Sequence, residues 1–332
     1  MVAQSGCNVN NGNIRQPERA AVILAGGNGT RFRELSRKIA GHDLPKQFCR
    51  VIGEKTLLDQ TRKRVSFSIP AELTLTVVTR AHERFFVPLL ADMPAQNVVV
   101  QPDSRGTAPA ILYSLLRLAE LAPTASVAIF PCDHYMSDDE AFMRHVESAF
   151  CAVATRPELA VLLGIAADSP EVEYGWIEPA SPLGLDGLPM FSVCRFWEKP
   201  SAETASLLLR HGCFWNSLVM VAQLSTLLGL FMSALPGMYL SFAAIRPVLG
   251  TLFEQKTMEA LYQDLESVNF SDRVLEKYPA SLAVLPVTGV EWRDLGEPER
   301  VLALLSRLAL RPNWLRPGNR STPSPRTSAR DY

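Results

Sequence analysis

The sequence has no surplus of charge, no paired cysteine motif and no long apolar run, and each absence narrows what the chain can do. Its 33 Lys and Arg against 34 Asp and Glu leave a formal net charge of -1. That is too little for global attraction to nucleic acid or an anionic membrane, so any anion has to be held by a local cluster. The six cysteines, Cys7, Cys49, Cys132, Cys151, Cys194 and Cys213, form no C-x-x-C pair and have no histidine at zinc-ligand spacing. Reduced thiols in an intracellular protein are the expectation. No apolar run approaches the roughly 20 residues that cross a bilayer. The opening MVAQSGCNVNNGNIRQPERA lacks the apolar core of a signal peptide. Together these absences predict a cytoplasmic protein with neither nucleic acid nor membrane as a partner.

What is present is apolar residue in quantity, 47% of 332, enough for one large or two modest globular units. Residues 1–18 are polar and rich in Asn and Gly, and residues 311–332 are rich in Pro, Ser and Arg. Neither stretch buries enough apolar surface to offset its ordering entropy, so both are expected to be disordered around one continuous folded unit at 19–310. Within that unit, AAVILA, LTLTVVT, NVVVQP, VAIFP, LAVLLGI and SVCRFWEK read as strands bounded by polar or Gly/Pro breaks. Between them, Thr56 with Asp59 gives a capping-box start to a helix, and 107–121 and 138–152 have amphipathic spacing. This alternation predicts an α/β fold, a Rossmann-like, mostly parallel sheet flanked by helices, with ligands at the carboxyl ends of the strands. From Leu207 onward the pattern is more helical, with strand candidates SLVMVAQ and SLAVLPVT, and no internal repeat is present.

The run AVILAGGNGTRFR, residues 21–33, breaks a strand candidate into three glycines within four residues and then into arginines. It is not a dinucleotide fingerprint: from Gly27 the letters are G-N-G-T-R-F, and Phe32 stands where Gly or Ala is needed. It is not a P-loop either, because the chain has no Gly-Lys pair. What remains is a glycine loop followed by Arg31, Arg33, Arg37, Lys38 and Lys46 against only Glu34 and Asp43. Glycines let backbone N–H groups approach an anion, and arginine offers forked donors that match phosphate oxygens. An ordinary turn beside a solvated basic helix is an equal reading of GGNG alone. Further on, VAIFPCDHYM ends a strand candidate with Asp133, a hard carboxylate where Mg²⁺ and phosphate oxygens could meet, although a capping or turn aspartate is the stronger reading of these letters by themselves.

LAGGNGTRFRELSR followed by PKQF resembles the opening motif of the sugar-1-phosphate nucleotidylyltransferases, in particular the mannose-1-phosphate guanylyltransferases. The likeness runs in family order through QPDSRGTAPAI, IFPCDHYM, EYGWIEP, RFWEKPSAETA, CFWNS and EWRDLG. It implies the nucleotide-diphospho-sugar transferase fold, with a nucleotide-binding part at about 19–150 and a sugar-binding part at about 151–310. It implies GTP and a sugar 1-phosphate, most simply mannose 1-phosphate, as substrates, Mg²⁺ as cofactor, and leaves a homodimer open. Leu24, Ala25, Gly26, Gly27, Gly29, Thr30, Arg31, Arg105 and Thr107 would hold the nucleotide, with Arg31 and Lys46 on the reacting phosphates. Gly175, Glu198, Lys199 and Asn216 would hold the sugar phosphate, and Asp133 with Asp294 the metal. His134 has no second His or Cys at usable spacing and reads as a loop residue near the sugar; His42, His82, His145 and His211 read as surface or packing residues, and Trp176, Trp197 and Trp215 as core.

The chain departs from the family pattern at several points. Gly106 replaces the Asn of R-N-T-A-P-A, which puts the choice of base in question, and Thr107 also suits an N-cap for the helix beginning at Ala108. Leu218 stands where W-N-S-G has Gly, an insertion precedes PKQF, and Glu297-Pro298 replaces the small and aromatic residues after the last Gly. The chain ends soon after RVLALLSRLAL, so the phosphomannose isomerase module of bifunctional relatives is not expected. Another nucleotide or sugar, or a non-catalytic nucleotide-sugar-binding homologue, are the alternatives.

Overall fold

The computed structural model describes residues 18–185 and 187–315. Among them, eleven strands run β1 (Arg19–Leu24), β2 (Thr74–Thr79), β3 (Val98–Gln101), β4 (Ser126–Pro131), β5 (His134–Met136), β6 (Ala160–Ala166), β7 (Gly175–Pro182), β8 (Phe191–Glu198), β9 (Phe214–Gln223), β10 (Leu282–Val287) and β11 (Trp292–Asp294). Nine join in one sheet in the order β3-β2-β1-β4-β9-β6-β10-β8-β7, while β5 and β11 pair by themselves. The edge built first is parallel, β1 with β2 and β4 and β2 with β3. There strands alternate with helices, and a helical crossover returns each strand in the same direction. β9 then enters antiparallel between β4 and β6, and β7, β8 and β10 close the far edge around one more parallel pair, β6 with β10.

Both sheet faces are covered, which explains the unbroken apolar strands. In β1, Ala20 and Val22 face one core and Ala21 and Ile23 the other; β4 divides the same way, Val127 and Ile129 against Ala128 and Phe130. The helix Thr107–Leu121 lies on the first face through Ile111, Leu112, Leu115 and Leu118, and the helix Asp139–Thr155 on the second through Phe142, Val146 and Phe150. The capping box of Thr56 and Asp59 forms with both reciprocal bonds, at 3.0 and 3.2 Å. Thr107 does not cap its helix. The first helical residue is Thr107 itself, the N-cap is Gly106, and the threonine hydroxyl accepts from the Phe270 backbone N–H at 2.8 Å.

A third, smaller cluster joins Phe32, Leu35 and Leu57 to Leu295, Val301 and Leu304, drawing the C-terminal helix Pro298–Arg307 against the glycine-loop side. It also corrects the boundary at 311: Asn313–Leu315 form a helical turn, and Trp314 packs on this cluster because its ring adds apolar area there. Of the segments expected to be disordered, 1–17 and 316–332 lie outside the described residues. Cys49, Cys132, Cys194 and Cys213 are free thiols, and among the described residues no helix is long and apolar enough to cross a membrane.

Candidate active site

The glycine loop leaves the carboxyl end of β1 with each glycine under a different constraint. A Cβ on Gly26 would lie 2.5 Å from Gln101 Nε2 and 3.0 Å from Thr79 Oγ1, so a side chain there would have to push these two aside. Gly29 takes the left-handed φ of +57° that turns the chain into the Thr30–Phe32 turn, with the Lys46 backbone 3.3 Å from its missing Cβ. Gly27 meets nothing within 4 Å on its side-chain side and lines a cavity of about 350 Å³. The loop is braced by a residue that motif reading passed over. Gln47, almost fully buried, donates its amide to the carbonyls of Ala25 at 2.7 Å and Gly27 at 3.0 Å. Its letter was in view, within PKQF, but a glutamine between Lys and Phe carries no charge to mark it.

Leu24, Gly26, Lys46, Thr107, Asp133 and Leu218 also line that cavity. Thus loop, lysine and carboxylate face one space, while Arg31 lies to the side, bonded to Glu173 at 3.0 Å and Glu297 at 2.9 Å. Thr30 opens the same turn, and Arg105 pairs with Asp103 at 3.3 Å. Gly106 has φ +84°, and a Cβ there would lie 2.3 Å from the Val268 carbonyl oxygen. Val268 is tied in on both sides, its N–H to Arg105 O and its carbonyl to Ala108 N, each at 3.0 Å. The backbone of residue 268 fills the space an asparagine would need.

Lys46 Nζ bonds Asp133 Oδ2 across 87 positions. Asp133 follows β4, and its backbone carbonyl accepts from Leu295 N at 2.9 Å, next to Asp294. The remaining distance is closed by the β5–β11 ladder, in which Asp294 stands opposite His134. Donor atoms of Asp133, His134 and Asp294 all lie within 4.8 Å of one another. Burial pushes the Asp133 carboxyl up, but the Lys46 ammonium with His134 outweighs it and holds the group below its ordinary range. Asp294 is raised to about 6, first by burial and then by the charge of Asp133. Burial also takes His134 down to about 4, leaving a neutral imidazole, and the carboxylates keep Lys46 charged against its own desolvation. Two buried carboxylates that repel each other could hold a cation, and their hard oxygens would suit Mg²⁺. His134 therefore belongs with the carboxylates rather than with a sugar loop. Arg300, also missed from sequence, holds Asp294 Oδ2 at 3.0 Å and lies 4.3 Å over the Tyr174 ring.

On the other side, Gly175 pairs with Glu198 between β7 and β8, and a Cβ on Gly175 would lie 3.1 Å from Glu198 Oε2 and 3.3 Å from Asn216 Cβ. These three converge around one glycine kept bare by its neighbours. Burial pushes the Glu198 carboxyl up, and Asn269 donates to it at 3.1 Å while its own carbonyl oxygen accepts from Thr107 at 3.2 Å. Asn269 thus joins the two sides of the cleft, and no motif pointed to it. Lys199, at a left-handed φ of +48°, reaches Glu173 Oε2 at 3.2 Å, the same oxygen that takes Arg31. Trp176 and Trp215 are core, as expected, whereas Trp197 is half-buried under Arg195, whose guanidinium lies 3.6 Å over its ring.

The family model described as nucleotidyl transferase matches residues 20–309. A mannose-1-phosphate guanylyltransferase of Sinorhizobium fredii is 32% identical over 292 residues, 86% of this chain and 54% of the relative. The alginate biosynthesis protein AlgA of Pseudomonas putida is 34% identical over 200 residues, 59% of this chain and 39% of the relative. The chain therefore spans about half the length of these relatives, or less. A solved structure described as a mannose-1-phosphate geranyltransferase from Thermus thermophilus matches with a TM-score of 0.73 at 28% identity, over 86% of this chain and 79% of that one.

Proposed function

Because the chain belongs to the nucleotidyl transferase family, we propose that it transfers GMP from GTP to mannose 1-phosphate, giving GDP-mannose and pyrophosphate. The observation that carries this reading is the meeting of Lys46 and Asp133, from two distant motifs, in the wall of the cavity that the glycine loop lines.

The sugar phosphate is already an anion at neutral pH, so an oxygen of it can attack the α-phosphorus without a general base. The bond from that phosphorus to the β-bridging oxygen breaks and pyrophosphate leaves. The barrier is then one of bringing two anions into line and offsetting the charge that builds on the transferring phosphorus. The loop from Leu24 to Thr30 would present backbone N–H groups to the triphosphate, with Arg31 and Lys46 on the reacting phosphates and Arg105 and Thr107 toward the nucleoside. Gly175, Glu198 and Asn216 would hold the sugar and Lys199 its phosphate. Asp133 and Asp294 fit as Mg²⁺ ligands, and the ion when bound would supply positive charge to the phosphate oxygens. A cytoplasmic site of action suits these substrates.

Incubating the chain with GTP, mannose 1-phosphate and Mg²⁺ is expected to release pyrophosphate and form GDP-mannose. Absence of turnover with every triphosphate and sugar 1-phosphate of a panel would remove the reading in favour of a binding homologue. A second base is the one variation a specific observation favours. Gly106 offers no side-chain amide at its own place in the cavity wall, so the same panel is expected to show weaker discrimination among purines than a pocket with an asparagine there would give.

A further inference from the structure

We propose that His134 is a third protein ligand of the cation held by Asp133 and Asp294, making this a mixed nitrogen and oxygen site that prefers Mn²⁺ or a related transition ion to Mg²⁺. The inference rests on the metal reading above and adds to it a ligand and a metal class.

Three observations converge on it. First, the donor atoms of the three residues lie within 4.8 Å of one another, a spread that one ion can gather with small side-chain movement. Second, the position of the imidazole follows from the backbone. His134 and Asp294 are directly opposed in the antiparallel β5–β11 ladder, and opposed residues project to the same face. Third, the ring is 7% exposed and its Nδ1 has no hydrogen-bond partner. Buried histidine nitrogens are normally satisfied, so a ring that lies in one group with two carboxylates and keeps a nitrogen unpartnered among the described residues calls for a ligand.

The ring is also fixed in place. It packs edge-on against Trp292 with centroids 5.1 Å apart, and its own backbone carbonyl accepts from the buried Arg64 at 3.3 Å. Lys46 and Arg300 already bond Asp133 and Asp294, so the imidazole nitrogen would add a donor to the carboxylate oxygens these two cations leave open. Mg²⁺ takes oxygen donors and gives up water reluctantly, whereas imidazole suits Mn²⁺, Co²⁺ and Zn²⁺ progressively better. From sequence, His134 is discounted because no second His or Cys lies at metal spacing; its partner is a carboxylate brought across by a three-residue strand.

The test uses the whole chain and Mn²⁺ alone. Electron paramagnetic resonance is expected to show one saturable site, with Mg²⁺ displacing the ion only at roughly tenfold or greater excess. Electron spin echo modulation should show one coupled ¹⁴N, and this should change when the histidines are ¹⁵N-labelled, a readout that needs no substitution. In His134→Gln the nitrogen coupling should vanish and Mn²⁺ affinity fall about tenfold, with the thermal midpoint recorded alongside. Bound Mn²⁺ without nitrogen coupling, or coupling that survives His134→Gln, would overturn the histidine ligand and leave the carboxylate site standing. Absence of any saturable Mn²⁺ site would overturn the metal reading and this inference with it.

Discussion

The two ends of the site are built on different principles. At the glycine-loop end, residues 24–48 supply most of the groups, and β2 pins the loop twice, Val77 O accepting from Ala25 N at 2.8 Å and Thr79 Oγ1 donating to Gly26 O at 2.7 Å. At the carboxylate end, Asp133 and Asp294 are 161 positions apart (294 − 133) and meet only through the β5–β11 ladder and the bond from Leu295 N to Asp133 O. The first end is local chemistry that a chain can write in one motif. The second is topology, and it concentrates the buried charge of the site. Substitutions at the carboxylate end should therefore strike the chemical step, and those at the loop end should strike stability or one substrate.

Asp133→Asn puts this contrast to its hardest test. Asparagine keeps the volume and a hydrogen-bond acceptor for Lys46 but removes the charge that faces Asp294. The rate of pyrophosphate release at saturating substrates is expected to fall about 10³-fold, on the order of 4 kcal/mol of transition-state stabilisation. The thermal midpoint should drop by only a few degrees. A loss of less than tenfold would break the comparison, since the distant pair would then be structural.

Gly106→Ala should have the next largest effect, on stability. Its Cβ would sit 2.3 Å from Val268 O and its φ of +84° is left-handed, so overlap and backbone strain together should cost about 2–4 kcal/mol. A shifted urea midpoint at constant slope would record it. From sequence, Gly106 reads as a lost amide and a question about the base. In the structure it is first a steric requirement imposed by residue 268, a long-range constraint inside the half that otherwise reads locally. A variant that folded with wild-type stability would show that the 268 backbone can retreat, and would return the position to specificity alone.

This pattern marks how far the sequence could be read. Strands of six or more residues with both faces buried announced themselves, so β1, β2, β4, β6 and β10 stood within one or two residues of their places. The three-residue strands β5 and β11 are too short to carry a period, and they are the elements that bring the carboxylate end together. Among the residues named by motif, Lys46 meets Asp133, and Gly175 meets Glu198 and Asn216. Gln47, Asn269 and Arg300 did not show, because each acts through backbone groups or through another side chain and none carries a recognisable spacing. Arg31 reads from sequence as a phosphate ligand, and its guanidinium bonds Glu173 and Glu297.

That last contact gives the smallest effect and the sharpest question about the two ends. Glu173 Oε2 accepts from Arg31 at 3.0 Å and from Lys199 at 3.2 Å, so one carboxylate oxygen stands where the cations proposed for two different phosphates both point. The side chains are well exposed, 62% for Arg31 and 38% for Glu173, and such pairs contribute only about 0.2–1 kcal/mol each. Incoming phosphates must displace this carboxylate, so Glu173→Gln is expected to lower the KM for sugar 1-phosphate about two- to fivefold, and the gain should shrink as salt screens the pair. kcat should hardly move. A raised KM would mean instead that Glu173 positions Lys199, whose left-handed backbone offers little freedom of its own. The loop end and the sugar side would then be joined by that carboxylate rather than kept apart by it.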